Sequence, residues 1–211
     1  TNIDTVPKNV RTFALTFTYT DDQTGASIKK VKSLKIIGTI TLTKEMVTTG
    51  VIDANTGEPV VLNTGDVEIP EVIMYEGNPR VITSIGELAF YGNENITSIK
   101  MPDTIISIER AAFEKCSKIT GELRIPNSVT SIGKSAFQEC KGFTGSLIIP
   151  DTVTSIGEYA FYGCKGFTGN LIIPDSVTSI ENGAFSNCSG FNGTLTISKS
   201  ITSIKSYVFS N

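Results

Sequence analysis

The sequence predicts a repeat solenoid, mainly β with short helical turns, that follows a small β-rich N-terminal domain. The tetrapeptide Val-Thr-Ser-Ile begins at Val129, Val153 and Val177, and Ile201 begins the variant Ile-Thr-Ser-Ile. These starts are evenly spaced, at a step of about 24 residues, within the range of about 20–50 residues that marks repeat architectures. In such solenoids each unit buries its apolar face only against neighbouring units.

Residues 1–64 are β-rich and do not repeat. Phe13, Leu15, Phe17 and Tyr19 alternate with small or polar residues, which is the pattern of a half-buried strand. A turn is expected at residues 21–25 and extended segments at residues 28–43, 46–52 and 59–62, with a turn at residues 53–57. We expect this domain to pack on the first coil, because an open solenoid end needs a cap.

Residues 65–211 form the predicted solenoid, in which residues 72–82 insert a hairpin. The first unit, 82–104, is one residue shorter than the units that start at Ile105, Val129, Val153 and Val177. A sixth unit begins at Ile201 and stops at Asn211. The start at Thr1 rather than Met favours removal of a leader, and the incomplete last coil favours a fragment of a longer repeat protein.

Each unit follows one pattern, for which residues 153–176 serve as the example. A short extended segment leads into a single helical turn at residues 157–161, a glycine turn follows, and a strand ends at proline. Gly166 is expected to adopt a left-handed conformation. The inward-facing positions are Val153, Ile156, Ala160, Phe161, Cys164, Phe167, Leu171 and Ile173.

Stacked units place equivalent residues in columns, with rungs about 4.8 Å apart. The phenylalanine column comprises Phe90, Phe113, Phe137, Phe161, Phe185 and Phe209. The isoleucine column comprises Ile85, Ile108, Ile132, Ile156, Ile180 and Ile204.

The four cysteines, Cys116, Cys140, Cys164 and Cys188, recur at the same interval as the tetrapeptide and form a third column. A single zinc ion needs thiolates that converge at about 2.3 Å, which side chains on successive rungs do not do. The Cα–Cα distance between adjacent coils does not exclude disulfides between them. Because stacked side chains point the same way, we favour four reduced structural thiols.

The pattern Val-Thr-Ser-Ile-Gly-x-x-Ala-Phe-x-x-Cys, followed by Leu-x-Ile-Pro, resembles the BspA-like leucine-rich repeats of bacterial surface proteins. Residues 130–140, 154–164 and 178–188 carry it most fully, and the resemblance extends over about residues 65–211. It implies a leucine-rich-repeat solenoid, a cell-surface or extracellular location, and adhesion to host matrix proteins or partner cells. The departures from the pattern are Glu109, Glu181 and Lys205 for Gly, Asn93 for Cys, and Ser198 for Pro.

Composition excludes several other functions. The net charge of −3 gives no basis for binding nucleic acid, and no apolar run is long enough to span a membrane. The chain has no His, which excludes His-dependent catalysis, and no nucleophile adjoins a base. We therefore expect no enzyme activity, no cofactor and no metal.

Function is expected on the positions that change from unit to unit, since a repeat scaffold presents its ligand there. Tyr91, Tyr159, Tyr162 and Lys165 are the candidate ligand surface, and an ordinary solvated face is the alternative. The expected partner is a protein on host or neighbouring cells. A carbohydrate- or cell-wall-binding module and a ligand-free spacer stay open, although the absence of Trp counts against a sugar platform.

Overall fold

A computed structural model describes residues 12–20, 27–35 and 38–210 of the chain. Strands β1 (Thr12–Thr20) and β2 (Ser27–Lys35) pair along their whole length as an antiparallel hairpin, which confirms the strand predicted around Phe17. The turn predicted at residues 21–25 lies outside the described residues.

Residues 39–60 form strand β3 (Thr39–Leu42), helix α1 (Lys44–Thr49), strand β4 (Val51–Asp53) and strand β5 (Pro59–Val60). The extended segment predicted at residues 46–52 is therefore wrong for its first half. The Thr43 hydroxyl caps α1 by accepting from the Met46 amide at 3.3 Å, and Gly50, at φ 82°, follows its last residue.

The turn predicted at residues 53–57 joins β4 to β5. The Asp53 carboxylate accepts from the Asn55 amide at 2.6 Å and from the Thr56 amide at 3.1 Å. Aspartate stabilises turns in this way, so the turn prediction is confirmed.

The next strands are β6 (Gly65–Glu68), β7 (Val72–Tyr75), β8 (Asn78–Ile85) and β9 (Ile96–Lys100). β7 and β8 form the predicted antiparallel hairpin, and β6 pairs in parallel with β9. β3 also pairs in parallel with β8, so that Leu42 lies beside Ile85. Leu42, Val47 and Leu62 share one hydrophobic core with the repeats.

The repeats contribute short strands, β10 (Ser107–Ile108), β11 (Ser131–Ile132), β12 (Ser155–Ile156), β13 (Leu171–Ile172), β14 (Ser179–Ile180) and β15 (Leu195–Thr196). β8, β10, β11, β12 and β14 form one parallel ladder in which each Ser-Ile pairs with the next. β13 and β15 form a second parallel pair, Leu171 against Leu195.

The phenylalanine column is confirmed. Successive rings from Phe90 to Phe209 are nearly parallel, with centroids 4.9, 5.3, 5.4, 5.3 and 5.8 Å apart. A second column, Phe143, Phe167 and Phe191, stacks beside it at 6.0 and 5.9 Å. Burial of these rings holds each repeat to its neighbours.

The isoleucine column is confirmed from Ile85 to Ile180, where the residues pair in register. It fails at Ile204, which is 55% exposed and belongs to no strand. No described helix is long and apolar enough to cross a membrane.

The helical turn predicted at residues 157–161 is not a helix. The Ala160 amide donates to the Gly157 carbonyl at 3.2 Å, as in a turn, but the Tyr159 and Phe161 amides donate to Asn182 and Ala184 of the next repeat. Tyr159 also has φ 55°, which a right-handed helix does not contain. The burial predicted for Ala160 and Phe161 is confirmed.

Gly166 does not have the predicted positive φ. A Cβ atom at this position would overlap the carbonyl oxygen of Phe143 in the preceding repeat. Gly142 and Gly190 meet the backbone of their preceding repeats in the same way. Glycine is therefore needed here for close packing between repeats and not for backbone conformation.

The departures at Glu109 and Glu181 keep the local turn geometry. Their amides donate to Ile85 and Ile156 at 2.9 Å, as the Gly157 amide donates to Ile132 at 2.8 Å. Replacement of glycine at these two positions therefore leaves the bond between repeats intact.

The four cysteines are free, buried thiols. Each Sγ donates to a phenylalanine carbonyl of the preceding repeat, at 3.0 Å for Cys116, 2.9 Å for Cys140 and 3.0 Å for Cys164 and Cys188. The thiols therefore help to fix one repeat on the next.

Candidate interaction surface

The turn that precedes each buried phenylalanine, and the residues just after it, carry side chains that change from repeat to repeat. Tyr159 and Tyr162 lie there, one on each side of the buried Ala160 and Phe161. The backbone bonds between repeats hold this turn, because the Tyr159 amide donates to Asn182 at 3.0 Å. The scaffold thus presents two aromatic side chains at fixed positions.

The two tyrosine rings contact each other edge to face. Their centroids are 5.7 Å apart and their planes lie at 89°, which is a favoured geometry for aromatic pairs. Both side chains are half-buried. A rigid ring pair that is half-exposed offers large contact area at low entropic cost.

Gly183, in the next repeat, contacts the Tyr159 ring of this pair. A Cβ atom at Gly183 would overlap the Tyr159 ring, so the ring lies directly against this glycine backbone. The equivalent residue two repeats earlier is Ser135, and one repeat later it is Tyr207. The absence of a side chain at Gly183 makes room for Tyr159 in its observed position.

Lys165 is exposed and follows Tyr162 by three residues. No carboxylate of the described residues forms an ion pair with its ammonium group. The surface formed by the variable turns before and after the buried phenylalanines is called the turn face. Other charged side chains on it are paired across repeats, Lys134 with Glu158 at 2.5 Å and Arg110 with Glu87. Exposed pairs of this kind contribute little to stability. Lys165 has no such partner among the described residues and follows Tyr162 closely in sequence.

Tyr91 occupies the same column as Tyr162 but lies three repeats away, on the order of 15 Å along the stack. The Lys115 ammonium donates to its hydroxyl at 3.1 Å and lies 5.4 Å from the ring centroid. The Lys44 ammonium lies 5.9 Å from the same centroid. The hydrogen bond to Tyr91 raises the pKa of Lys115. Tyr91 is thus a separate site and not part of the Tyr159–Tyr162 pair.

Sequence reasoning missed Ile148 and Ile172. Both lie on the outer face of the Leu-x-Ile strands and are 72% and 54% exposed. The equivalent residues in the flanking repeats are Arg124 and Thr196, which are polar. An isoleucine at this outward position could therefore have been recognised from the sequence as unusual. These two isoleucines form a small apolar patch on a different face from the tyrosines.

The described residues do not form a group of His, Cys, Asp and Glu that could hold a metal ion. Burial raises the pKa of Cys116 and Cys188 to about 12, and that of Cys140 and Cys164 well above its usual range. Buried thiols of this kind are poor nucleophiles. The four thiols therefore serve the packing between repeats.

Comparisons with known proteins agree with the pattern of the repeats. The family described as "BspA type Leucine rich repeat region (6 copies)" matches residues 142–211. Residues 142–211 are leucine-rich repeats of the BspA type. A search of curated proteins finds no significant match for this leucine-rich repeat protein.

Solved structures of bacterial leucine-rich repeat proteins resemble the chain. A leucine-rich repeat protein from Bacteroides ovatus ATCC 8483 is 35% identical, with a TM-score of 0.61 over 68% of this chain and 36% of its own. The chain thus spans about a third of that protein. The T. pallidum Leucine Rich Repeat protein is 23% identical, with a TM-score of 0.53 over 66% of this chain and 73% of its own, which supports the fold alone.

Proposed function

We propose that this leucine-rich repeat protein is a non-enzymatic module for protein–protein contact, exported to the cell surface, where it mediates adhesion to host or neighbouring-cell components. We also propose that residues 65–211 are a solenoid of about 24 residues per coil, preceded by an N-terminal domain of residues 1–64. The parallel pairing of Ser107, Ser131, Ser155 and Ser179 supports the solenoid. The match to BspA-type repeats supports the interaction role.

The Tyr159–Tyr162 pair is the observation that carries the proposal. Tyrosine is enriched at the centres of protein interfaces, because its ring buries much area and its hydroxyl can still hydrogen-bond. The Tyr159 ring packs against the Gly183 backbone and the edge of the Tyr162 ring, so little side-chain freedom is lost when a partner binds. Lys165 adds a positive charge that would favour an acidic group on the partner.

Surface plasmon resonance tests this proposal. A panel of purified extracellular matrix proteins is passed over the immobilised chain. We expect at least one matrix protein to bind, and Tyr159→Ala to weaken that binding about 30-fold, since an interface hot spot contributes about 2 kcal/mol. Ile148→Ala is the control, because Ile148 is 72% exposed and lies on a different face from the tyrosines. Its affinity should equal that of the unaltered chain.

Three outcomes would contradict the proposal. A glycan array with a clear hit, together with no binding to matrix proteins, would favour the carbohydrate-binding module. The absence of any ligand at micromolar concentration in both assays would favour a spacer that only extends other domains. Equal losses in Tyr159→Ala and Ile148→Ala would move the binding surface away from the tyrosine pair.

A further inference from the structure

An apolar groove of about 470 Å³ lies between helix α1 and strands β4, β5 and β7. Its lining includes three exposed apolar side chains, Ile52 at 38%, Val61 at 59% and Tyr75 at 38%. Met46 and Met74 also line it and are partly exposed. Exposed apolar side chains that share a groove mark a contact surface, whereas single ones are ordinary.

The β1–β2 hairpin needs such a surface. In the described part of the chain its two strands pair only with each other, and an isolated two-stranded hairpin is marginally stable in water. The register sets Phe13 opposite Leu34 and Tyr19 opposite Ile28. Opposite residues share a face of a hairpin, and strand alternation adds the position of Phe17 to the same face. One face of the hairpin therefore carries most of its large apolar residues, together with the positions of Lys30 and Lys32.

The charges of the hairpin and the groove are complementary. The register sets Lys32 opposite Leu15 and Lys30 opposite Phe17, so both lysine positions belong to the apolar face. Glu45 lines the groove and forms no ion pair with any residue of the described range 38–210. Lysines can cover apolar surface with their carbon chains and bring the ammonium group to a carboxylate at the rim.

The connection is long enough to reach the groove within one chain. From Lys35 to Thr39 the chain advances four residues, which span at most about 14 Å. Thr39 pairs with Val81, and Val81 pairs with Val72 on β7. Two strand spacings, about 10 Å, therefore separate Thr39 from a strand that lines the groove.

We propose that the β1–β2 hairpin docks the face that carries Phe13 and Phe17 onto the groove between α1 and β4, β5 and β7 of the same chain. The hairpin then covers the apolar surface at the N-terminal end of the repeats. The turn face with Tyr159 and Tyr162 stays open, so this contact is independent of the adhesion proposed above.

Disulfide trapping in the full chain tests the contact. The Phe17→Cys/Val61→Cys variant should form an intramolecular disulfide under mild oxidation, read by the shift of the non-reducing gel band and by mass spectrometry. Thr16→Cys/Val61→Cys is the matched control, because Thr16 lies on the opposite face of the same strand. The four native thiols are buried and should not interfere.

We expect the Phe17→Cys pair to close at least tenfold faster than the Thr16→Cys pair. Equal rates in the two variants would overturn the proposal. A disulfide that forms mainly between two chains would also overturn it, because a second copy would then fill the groove.

Hydrogen exchange gives a second readout that does not depend on cysteine substitution. Val61→Asp places a charge in the groove and should release the hairpin, so that amides of β1 and β2 exchange faster. Ile148→Asp adds the same charge at an exposed isoleucine outside the groove and should leave these amides unchanged. Unchanged exchange in Val61→Asp would contradict the docking.

Discussion

The Gly166→Ala variant is expected to lose about 3 kcal/mol or more of its free energy of unfolding. The added methyl group would overlap the carbonyl oxygen of Phe143, a backbone atom of the preceding repeat that no side-chain rotation can move. The two repeats would have to separate, and the contact of Phe143 with Phe167, at 6.0 Å between centroids, would loosen with them. Urea unfolding followed by circular dichroism measures the loss.

Gly169→Ala is the control for this substitution. Gly169 has φ 74°, so alanine there bears the cost of the left-handed conformation, about 1–2 kcal/mol. Its nearest neighbour, the Ser146 hydroxyl, lies 3.4 Å from the position that a Cβ atom would take and leaves room for it. A larger loss in Gly169→Ala than in Gly166→Ala would show that conformation, and not close packing, selects glycine in these repeats.

The repeat register could be predicted from the sequence because it depends on a period. Equivalent residues must lie over one another when each unit buries its apolar face against the next, whatever the local backbone does. The stacking of Phe113, Phe137 and Phe161 follows directly from that requirement. Ile204 shows the limit of the rule, since it has the right position in the pattern and yet is exposed.

The local backbone was harder to predict. Leu88, Ala111, Ser135 and Tyr159 all have φ between 52° and 58°, although none is glycine. This conformation is unfavourable for residues other than glycine. The hydrogen bonds that their backbone amides donate to the next repeat compensate for the cost. The sequence therefore predicts a helical turn, but the hydrogen bonds between repeats stabilise a different backbone conformation.

The pairing of β3 with the sheet of the repeats was also hard to predict. β3 carries Thr39-Ile-Thr-Leu42 in place of Val-Thr-Ser-Ile, and no phenylalanine or cysteine follows at the usual distance. It nonetheless pairs with β8 and contributes Leu42 to the common core. Pairing requires backbone groups and an apolar residue at the inward position, which a search for a repeated pattern does not detect.

The candidate site was predicted in part. The sequence grouped Tyr91, Tyr159, Tyr162 and Lys165 as one surface, and in the structure the Tyr159 and Tyr162 rings are in contact while Tyr91 lies three repeats away. The contact of the Tyr159 ring with the Gly183 backbone could not be predicted, since it depends on the direction in which the ring points between two repeats. Tyr91 shares a column with Tyr162, but the lysines that flank it come from α1 and from the next repeat.

Alkaline pH is expected to unfold the protein through the cysteine column. In the unfolded chain each thiol loses its proton near its ordinary pKa of 9.0, whereas burial raises the pKa of Cys116 and Cys188 to about 12 in the folded state. Burial also raises the pKa of Cys140 and Cys164 well above 9.0. Above pH 9 the folded state thus binds more protons than the unfolded state, so the free energy of unfolding falls as the pH rises.

Cys116 and Cys188 contribute their full stability below pH 9 and lose it as the pH rises towards about 12. Cys140 and Cys164 also lose theirs as the pH rises above 9. Each thiol contributes a slope of at most about 1.4 kcal/mol per pH unit, and the four together at most about 5.6 kcal/mol per pH unit. The free energy of unfolding, measured by urea titration at half-unit steps from pH 8 upwards, should show this decline.

Cys164→Ser separates the thiol from the other groups that titrate in the same range. Serine keeps a hydroxyl that can donate to the Phe137 carbonyl, as the Cys164 thiol does at 3.0 Å, but it does not ionise. The slope above pH 9 should therefore become shallower by about 1.4 kcal/mol per pH unit, whatever the variant loses at neutral pH. An unchanged slope would mean that Cys164 ionises equally in both states, and the thiol would then have to be open to solvent in the folded protein.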